Sequence, residues 1–499
     1  MAPVGEARAT KGIAEGFRPE QCRCLTIVSE DGLRGHERSG TPAFKGTTKS
    51  VEACARGLTW SFNASSKLAA ASVVPGLVST NRMVFITNGR PHRGRGHVDV
   101  KVAADGGLAM ACASFNAAAD SRPIFFMYLG RRGSLGRFSF ELATATREIP
   151  ALRTCFVLSS SNGVASQIRQ HGAALLEIDT FKRTWSANVI TSFFPARRRL
   201  LTWLRRERPV AIVNLMPHMW TPLLRPSIQK LGITYVTVIH DVIGHQGDPT
   251  GYVTRWLTSE ARKADVVVTL SRTVANHIQA AGYAREDQVH TLFHPDLSYG
   301  ATPASRERMP GEPLKLLFFG RILKYKGLPL LLSAVEMLRA EGIAVELGVA
   351  GAGDLRSEQA RLASLGAEVT NRWLDDHEIE PLLARYDAIV LPHIEATQSG
   401  VAALAFGNCI PVVGMPAGGL VEQIVSDRTG VLADRITARS LADAIRSLAI
   451  DPALYNRISA NLRRTVKDRS MKRFVGCLLT LIRERNHATA VAGPARVFV

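Results

Sequence analysis

Two cations, a carboxylate and several glycines carry most of the chemistry that this sequence offers. Arg321 and Lys326 lie in the short stretch after the apolar run Leu314 to Phe319, with Gly320 before them and Gly327 after. A second apolar run, Ala344 to Ala350, ends in Gly351-Ala352-Gly353. Short apolar runs closed by glycine-rich loops and separated by an amphipathic stretch predict a strand-loop-helix-strand-loop unit. Open α/β sheets bind ligands beyond the carboxyl ends of their strands, so both cations are expected over a crevice. A helix start disfavours cations on dipole grounds. Two of them there make sense around an anion such as a pyrophosphate.

Further groups fit the same guest. Leu391-Pro-His-Ile-Glu395-Ala-Thr397-Gln398-Ser399-Gly400 follows the apolar strand Ala388 to Leu391. Small polar residues opening a helix leave N–H groups able to cradle a phosphate, with Ser399 and Gly400 permitting close approach. Glu395 is placed to accept hydrogen bonds from sugar hydroxyls. Taken alone the segment reads as an ordinary N-cap beside a solvated glutamate; beside Arg321 and Lys326 the phosphate reading is preferred. Pro411 to Glu422 forms a strand, a Gly418-Gly419 pair and a helix start, and Asp427 to Gly430 a turn. Upstream, Gly130, Gly133 and Gly136 follow the apolar run Ile124 to Leu129. Their spacing is a poor match to a dinucleotide fingerprint, but Arg131, Arg132 and Arg137 make the loop cationic. His240-Asp241 ends the strand Thr234 to Ile239, on the edge expected to face the crevice.

The elements that position these groups alternate. From Pro123 strands are predicted at 124–129, 153–158, 174–178, 210–215, 234–239, 265–270 and 289–293, with helical patterns between several of them. Such alternation implies a doubly wound parallel sheet. Residues 301–313 hold three prolines and no periodicity, the pattern of a linker. Alternation resumes at Leu314 and ends in helices near 451–467 and 471–485. The fold class is therefore α/β, with two Rossmann-like doubly wound domains facing a cleft. The expected organisation is an extension without a core of its own over 1–121, a first Rossmann-like domain over 122–300, a linker over 301–313, a second Rossmann-like domain over 314–470, and a helix and tail over 471–499. The glycine-, serine- and arginine-rich composition of 1–121 reads as largely disordered.

Composition narrows the partners. The 499 residues include 62 basic and 43 acidic ones, a net charge of +19, which suits a phosphorylated substrate or an anionic membrane surface. No zinc-finger spacing or basic-aromatic RNA-binding signature is present, so nucleic acid is not an expected partner. Seven cysteines, odd and scattered, argue against a disulfide framework, and Cys22-x-Cys24 has no second pair for zinc. No metal site is expected. The lack of a long apolar run or signal-peptide order points to a cytoplasmic protein. The basic amphipathic segment Phe193 to Arg208 suggests contact with the inner face of a membrane, the blander reading being a surface helix with solvated arginines.

Taken in order, strand-GR-x4-KG, G-x-G, E-A-T-Q-S-G, PVV-x4-GG-x2-E and D-x2-TG resemble the family 4 retaining glycosyltransferases of GT-B fold. The resemblance covers roughly residues 122–480 and is strongest in the second half. It implies transfer of a sugar from a nucleotide-sugar to a hydroxyl of a glycan or lipid-linked glycan, with no further cofactor, in surface polysaccharide synthesis. It also implies that Arg321 and Lys326 grip the donor pyrophosphate, that Glu395 faces the transferred sugar, that the backbone at Ser399 and Gly400 completes the phosphate cradle, and that His240 touches the donor sugar. Asp265 and Ser271 match the family pattern as structural residues, and His294-Pro295 matches it as well. One position departs: the second glutamate that many members use for the ribose is Ala403 here. That departure leaves a non-catalytic nucleotide-sugar binding protein as an alternative. A nicotinamide-dependent oxidoreductase built on Gly130 to Gly136 is a weaker one, since Ser159 to Ser161 stand where an acidic ribose ligand is needed.

Overall fold

A computed structural model of the chain describes residues 22–26, 50–54, 121–131, 133–181, 188–241, 251–299 and 307–492. The chain divides into two compact units, Met1–Ala109 and Met110–Val499. In the first, β1 (Cys22–Thr26) pairs antiparallel with β2 (Ser50–Cys54). Apart from these strands and Ser121, the expected extension over 1–121 lies outside the described residues, as do Arg132, residues 301–306 of the expected linker and the tail after Ala492.

The second unit holds two parallel sheets. The first contains β3 (Ile124–Tyr128), β4 (Thr154–Ser159), β5 (Ala174–Ile178), β6 (Ala211–Asn214), β7 (Thr234–Ile239), β8 (Val266–Thr269) and β9 (Val289–Thr291), in the order β5-β4-β3-β6-β7-β8-β9. Its helices are α1 (Ser134–Arg147), α2 (Ala165–Gln170), α3 (Asn188–Glu207), α4 (Thr221–Gln229), α5 (Gly251–Thr258) and α6 (Arg272–Ala280). The second sheet contains β10 (Leu314–Phe319), β11 (Val345–Ala350), β12 (Glu368–Thr370), β13 (Ala388–Leu391), β14 (Val412–Gly414) and β15 (Gly430–Leu432), in the order β12-β11-β10-β13-β14-β15. It carries α7 (Leu328–Ala340), α8 (Gln359–Ser364), α9 (Asp376–Leu383), α10 (Gly400–Gly407), α11 (Leu420–Gln423) and α12 (Ala438–Ile450), and is followed by α13 (Pro452–Thr465) and α14 (Met471–Ala492). The sequence-based limits of β5, β7, β10 and β13 coincide with those observed. Most other strands differ by a residue or two at their ends.

The continuous apolar strands reflect sheets covered on both faces. In β3, Ile124, Phe126 and Tyr128 enter one core and Phe125 and Met127 the other. The two-residue period of a strand produces this split. The first of those cores also takes Phe474, Leu478 and Ile482 of α14, so the last helix covers the first sheet although it follows the second. The chain thus crosses between the halves twice. Asp296, on the first crossing, accepts from Arg469 Nε, on the second, at 2.9 and 3.1 Å, and its N–H donates to the Arg469 carbonyl at 2.8 Å. Arg308, from the proline-rich segment, is buried in the second half, where it donates to the Leu448 carbonyl at 3.1 Å and faces Asp387 at 3.8 Å.

Each sheet reverses its strand order once, between β3 and β6 and between β10 and β13. The loops at the carboxyl ends of these strands carry the candidate residues. Among the described residues no helix is long and apolar enough to cross a membrane. Cys155 and Cys409 are free and buried, while Cys477 is disulfide-bonded, a bridge the cysteine pattern did not lead us to expect.

Candidate functional site

The loop after β10 is fixed by close backbone packing. Gly320 has φ 110°, and a Cβ there would meet Val401 of α10 at 3.5 Å. Lys326 ends a single 3-10 turn, Lys324–Lys326, which Gly327 terminates at φ 69°. A Cβ on Gly327 would lie 1.9 Å from the Pro392 carbonyl oxygen. Ile394 N–H donates to the Tyr325 carbonyl at 2.8 Å. The loops after β10 and β13 are therefore riveted together. Gly351 and Gly353 lie against the same loop: a Cβ on either would come within 1.9 Å of Gly320 O and 2.3 Å of Ile322 O, respectively. Their immediate effect is to let the Arg321 loop approach.

Arg321 is exposed, and Lys326 is half-buried. The Lys326 ammonium lies 2.6 Å from His393 Nε2, and the His393 ring is buried. Burial, helped by the neighbouring Arg321 charge, brings Lys326 down to about 7; Asp241, from the end of β7, opposes this. Lys326 thus senses groups from both sheets.

The start of α10 is partly closed. Ser399 caps it, its Oγ accepting from Ala402 N–H at 3.3 Å. Its own N–H donates to Gln423 Oε1 at 2.7 Å, and Gln423 Nε2 returns a bond to its carbonyl at 3.1 Å. The Ser399 N–H, expected in the phosphate cradle, is thus already used. The N–H groups of Gly400 and Val401 have no acceptor among the described residues, as a first helical turn leaves them. Thr397 is buried and its carbonyl accepts from Ser271 Oγ at 2.7 Å. Gln398 Oε1 is buried and has no partner among the described residues. Glu395 stands exposed on the loop before them.

The first sheet supplies the opposite wall. Gly130 is required by its neighbour: a Cβ there would meet Tyr128 Oη at 2.4 Å. Asn162 Nδ2 donates to the Gly130 carbonyl at 2.9 Å, and Gly136 packs on Asn162 and Val164. Gly133 precedes α1 at φ 113° without a side-chain cap. The Ser134 and Leu135 N–H groups find no acceptor among the described residues. Arg137 turns away from the loop: it binds Glu141 Oε1 through Nη2 at 2.7 Å and stacks on Phe140 and Tyr299. This corrects the expectation of a loop made cationic by Arg137; Arg131 remains exposed on it.

The two open helix starts meet. A Cβ built on Gly400 would lie 3.5 Å from Ser134 Oγ and 3.9 Å from His294 Nε2. The Phe138 ring packs nearly perpendicular to the rings of both His240 and His294. His240 Nε2 lies 2.8 Å from the Leu215 carbonyl, so Nε2 carries the proton and Nδ1 is the acceptor. Burial lowers His240 from the ordinary histidine value. His294 donates from Nδ1 to the Pro295 carbonyl at 2.8 Å, and burial brings it to about 4. Its Nε2 is therefore a neutral acceptor directed at the start of α10.

A third contact joins the halves. The Glu422 carboxylate accepts from Arg272 N–H at 2.7 Å and from Thr273 N–H and Oγ1 at 2.8 and 2.7 Å. Ser271 Oγ accepts from Val274 N–H at 3.2 Å. The start of α6 is thus fully occupied, unlike those of α1 and α10. Asp265 is also structural, accepting from Tyr235 N–H at 2.8 Å. Residue types and spacing missed the roles of His393 and Glu422 and left His294 unassigned. His294 and His393 stand at carboxyl-end loops, the position that singled out His240, so that rule applied evenly would have found them; Glu422 lies in α11, and only its distant partner α6 reveals its role.

Two parallel sheets meeting through their carboxyl-end loops define the GT-B class of fold. The Anabaena protein HepE in complex with UDP and glucose aligns with TM-score 0.55 and 15% identity over 72% of this chain and 99% of that one. Sucrose-phosphate synthase from Thermosynechococcus elongatus aligns with TM-score 0.58 and 14% identity over 74% of this chain and 100% of that one. At such identities the likeness concerns the fold. Sequence carries the rest: residues 313–451 match the family model described as glycosyl transferases group 1, and residues 155–293 that described as glycosyltransferase family 4. A protein of Escherichia coli strain K12 assigned as a colanic acid biosynthesis glycosyltransferase, WcaL, is 23% identical over 60% of this chain and 77% of its own length. Glycogen synthase of Mycobacterium tuberculosis is 29% identical over 48% of this chain and 61% of its own length. The chain belongs to the GT-B superfamily of group 1 and family 4 glycosyltransferases, and it is a glycosyltransferase enzyme.

Proposed function

We propose that the protein transfers a hexose from a nucleoside-diphosphate sugar to a hydroxyl of a glycan or lipid-linked glycan, with retention of configuration. One observation carries the reading. The starts of α1 and α10, whose first N–H groups have no acceptor among the described residues, converge at Ser134 and Gly400, beside the loop that holds Arg321 and Lys326. Helix starts and cations together favour a diphosphate.

The donor diphosphate lies between these groups, and Glu395 and the Nδ1 acceptor of His240 meet hydroxyls of the sugar. In transfer, the bond from C1 to the diphosphate oxygen breaks and a bond from C1 to the acceptor oxygen forms on the same face. The acceptor's proton passes to the departing phosphate oxygen. Arg321, Lys326 and the N–H groups of Gly400 and Val401 stabilise the charge that develops there, and being already oriented they need little reorganisation. No protein nucleophile or metal takes part in this scheme. Contacts between the halves exclude water from the reacting centre.

The acceptor belongs to a surface polysaccharide in this reading, supported by the name of the Escherichia coli relative. The exposed Ile190 and Phe194 on α3, followed on the same helix by exposed Arg198, Arg199, Arg205 and Arg206, support contact with an anionic membrane on the cytoplasmic side. A thermal-shift screen of nucleoside-diphosphate sugars tests the donor class, and Lys326→Ala and Glu395→Ala test the site. Both variants are expected to fold and to lose transfer. Unchanged turnover in both overturns the assignment.

A further inference from the structure

We infer that His393 is the positioning residue for Lys326, and that the pair makes capture of the donor diphosphate a proton-linked event near neutral pH. The inference rests on the diphosphate site proposed above and adds a residue and a regulation to it.

The geometry is specific. The Lys326 Nζ to His393 Nε2 separation is 2.6 Å. An ammonium can only donate, so in the charged state Nε2 is the acceptor and the imidazole is neutral with its proton on Nδ1. His393 has little freedom to move: it is 2% exposed, and its ring meets that of Tyr325 edge-on at 6.4 Å. Its loop is locked to the lysine's loop by the Ile394 to Tyr325 bond and by the Gly327 to Pro392 approach. The bond to His393 takes one of the three ammonium N–H groups and leaves two for a ligand. A lysine side chain has several rotatable bonds, so anchoring its tip removes entropy that diphosphate binding would otherwise have to remove.

The surroundings set the titration. Arg321 and Lys324 share the lysine's own loop. Asp241 and His240 come from the end of β7, and His393 and Glu395 from the loop after β13. Burial and Arg321 disfavour the ammonium, and Asp241 favours it, with the balance near pH 7. Without ligand, Lys326 is then partly neutral at physiological pH. A diphosphate beside it restores the charge, so binding above pH 7 takes up a proton.

The test uses the full-length protein and the nucleoside diphosphates UDP, GDP, ADP and dTDP. Dissociation constants for whichever binds are measured from pH 5.5 to 9, with circular dichroism to confirm folding. The wild type should lose affinity above about pH 7, approaching tenfold per unit, with matching proton uptake by calorimetry in buffers of different ionisation enthalpy. Lys326→Arg, always charged, should abolish that loss. His393→Leu should weaken binding at pH 7 by tenfold or more and move the midpoint downward, because the ammonium loses its acceptor. His393→Gln, which keeps a neutral acceptor, should restore most of the affinity and the wild-type midpoint. The inference is overturned if His393→Leu keeps both the affinity and the midpoint while Lys326→Ala loses binding; the diphosphate site then stands without this role for His393. If Lys326→Ala also binds normally, the site assignment itself fails and the inference with it.

Discussion

Removing the Glu422 carboxylate should open the contact between the two halves and weaken donor capture while leaving each sheet intact. This carboxylate belongs to α11, the short helix after β14, but closes the start of α6, accepting three hydrogen bonds at 2.7 to 2.8 Å. Loss of a helix cap costs about 1 kcal/mol, and an anion at a helix start contributes roughly 0.3–1 kcal/mol more. The side chain is 22% exposed, which discounts the full value of charge-assisted bonds. A total near 2 kcal/mol follows for Glu422→Ala, about a 30-fold shift in the equilibrium between joined and separated halves. If the joined form is the one that binds the donor, apparent affinity falls with its population. Glu422→Gln keeps one acceptor oxygen but no charge, and should fall between.

Two measurements separate the possible outcomes. Hydrogen exchange at the Arg272 and Thr273 amides should accelerate in Glu422→Ala, because those N–H groups lose their acceptor. The donor dissociation constant should rise by an amount approaching 30-fold. Faster exchange with unchanged donor affinity would refute the link between this contact and capture, leaving Glu422 as a helix cap alone. Unchanged exchange would refute the contact itself in solution.

Three other expectations concern the same framework. Gly327→Ala should lower kcat/KM by tenfold or more, since its Cβ would lie 1.9 Å from the Pro392 oxygen at a residue with φ 69°, and crystallography should show Lys326 drawn away from His393. Ala403→Glu should not supply a ribose ligand but destabilise the protein by several kcal/mol, because residue 403 is 1% exposed and a lone buried carboxylate is costly; thermal denaturation checks this. Burial pushes the Asp296 carboxyl from the ordinary 3.8 up to about 7 despite Arg469. A raised carboxyl holds more protons folded than unfolded between those values, so its contribution to stability falls as pH rises from about 4 to 7. Asp296→Asn should flatten the curve of Tm against pH in that window.

What could be read from the sequence follows from how each feature is encoded. Strands such as β7 and β10 are local runs of apolar residues buried on both faces, and a run announces itself without its partners. Arg321, Lys326 and Glu395 stood out as candidates because charged residues at the carboxyl ends of such runs have few purely structural uses. Features that depend on a distant partner were not. Arg137 sits in a basic loop by sequence, yet Glu141 one turn on and the Tyr299 ring from the crossing take it out of the site. Ser399 looked like a phosphate ligand, yet Gln423, 24 residues later, claims its N–H. His393 acquires its role only when the loop after β10 brings Lys326 beside it.

The same reasoning bears on Ala403. By sequence it is an absence, a missing carboxylate in a motif. In the fold its carbonyl accepts from Leu297 N–H at 3.1 Å, and a Cβ on Gly407 of the same helix would lie 2.1 Å from the Leu297 oxygen. Small residues let α10 sit directly against the strand of chain that joins the two halves, next to the Asp296–Arg469 pair. One end of α10 therefore leaves the Gly400 and Val401 N–H groups open toward Ser134 and His294, while its body seats the crossing. A change in how the halves meet would shift the open end of the helix against the wall that faces it. The motif that looked like a weakened nucleotide site is better understood as the place where the proposed diphosphate site and the joint between the halves share one helix.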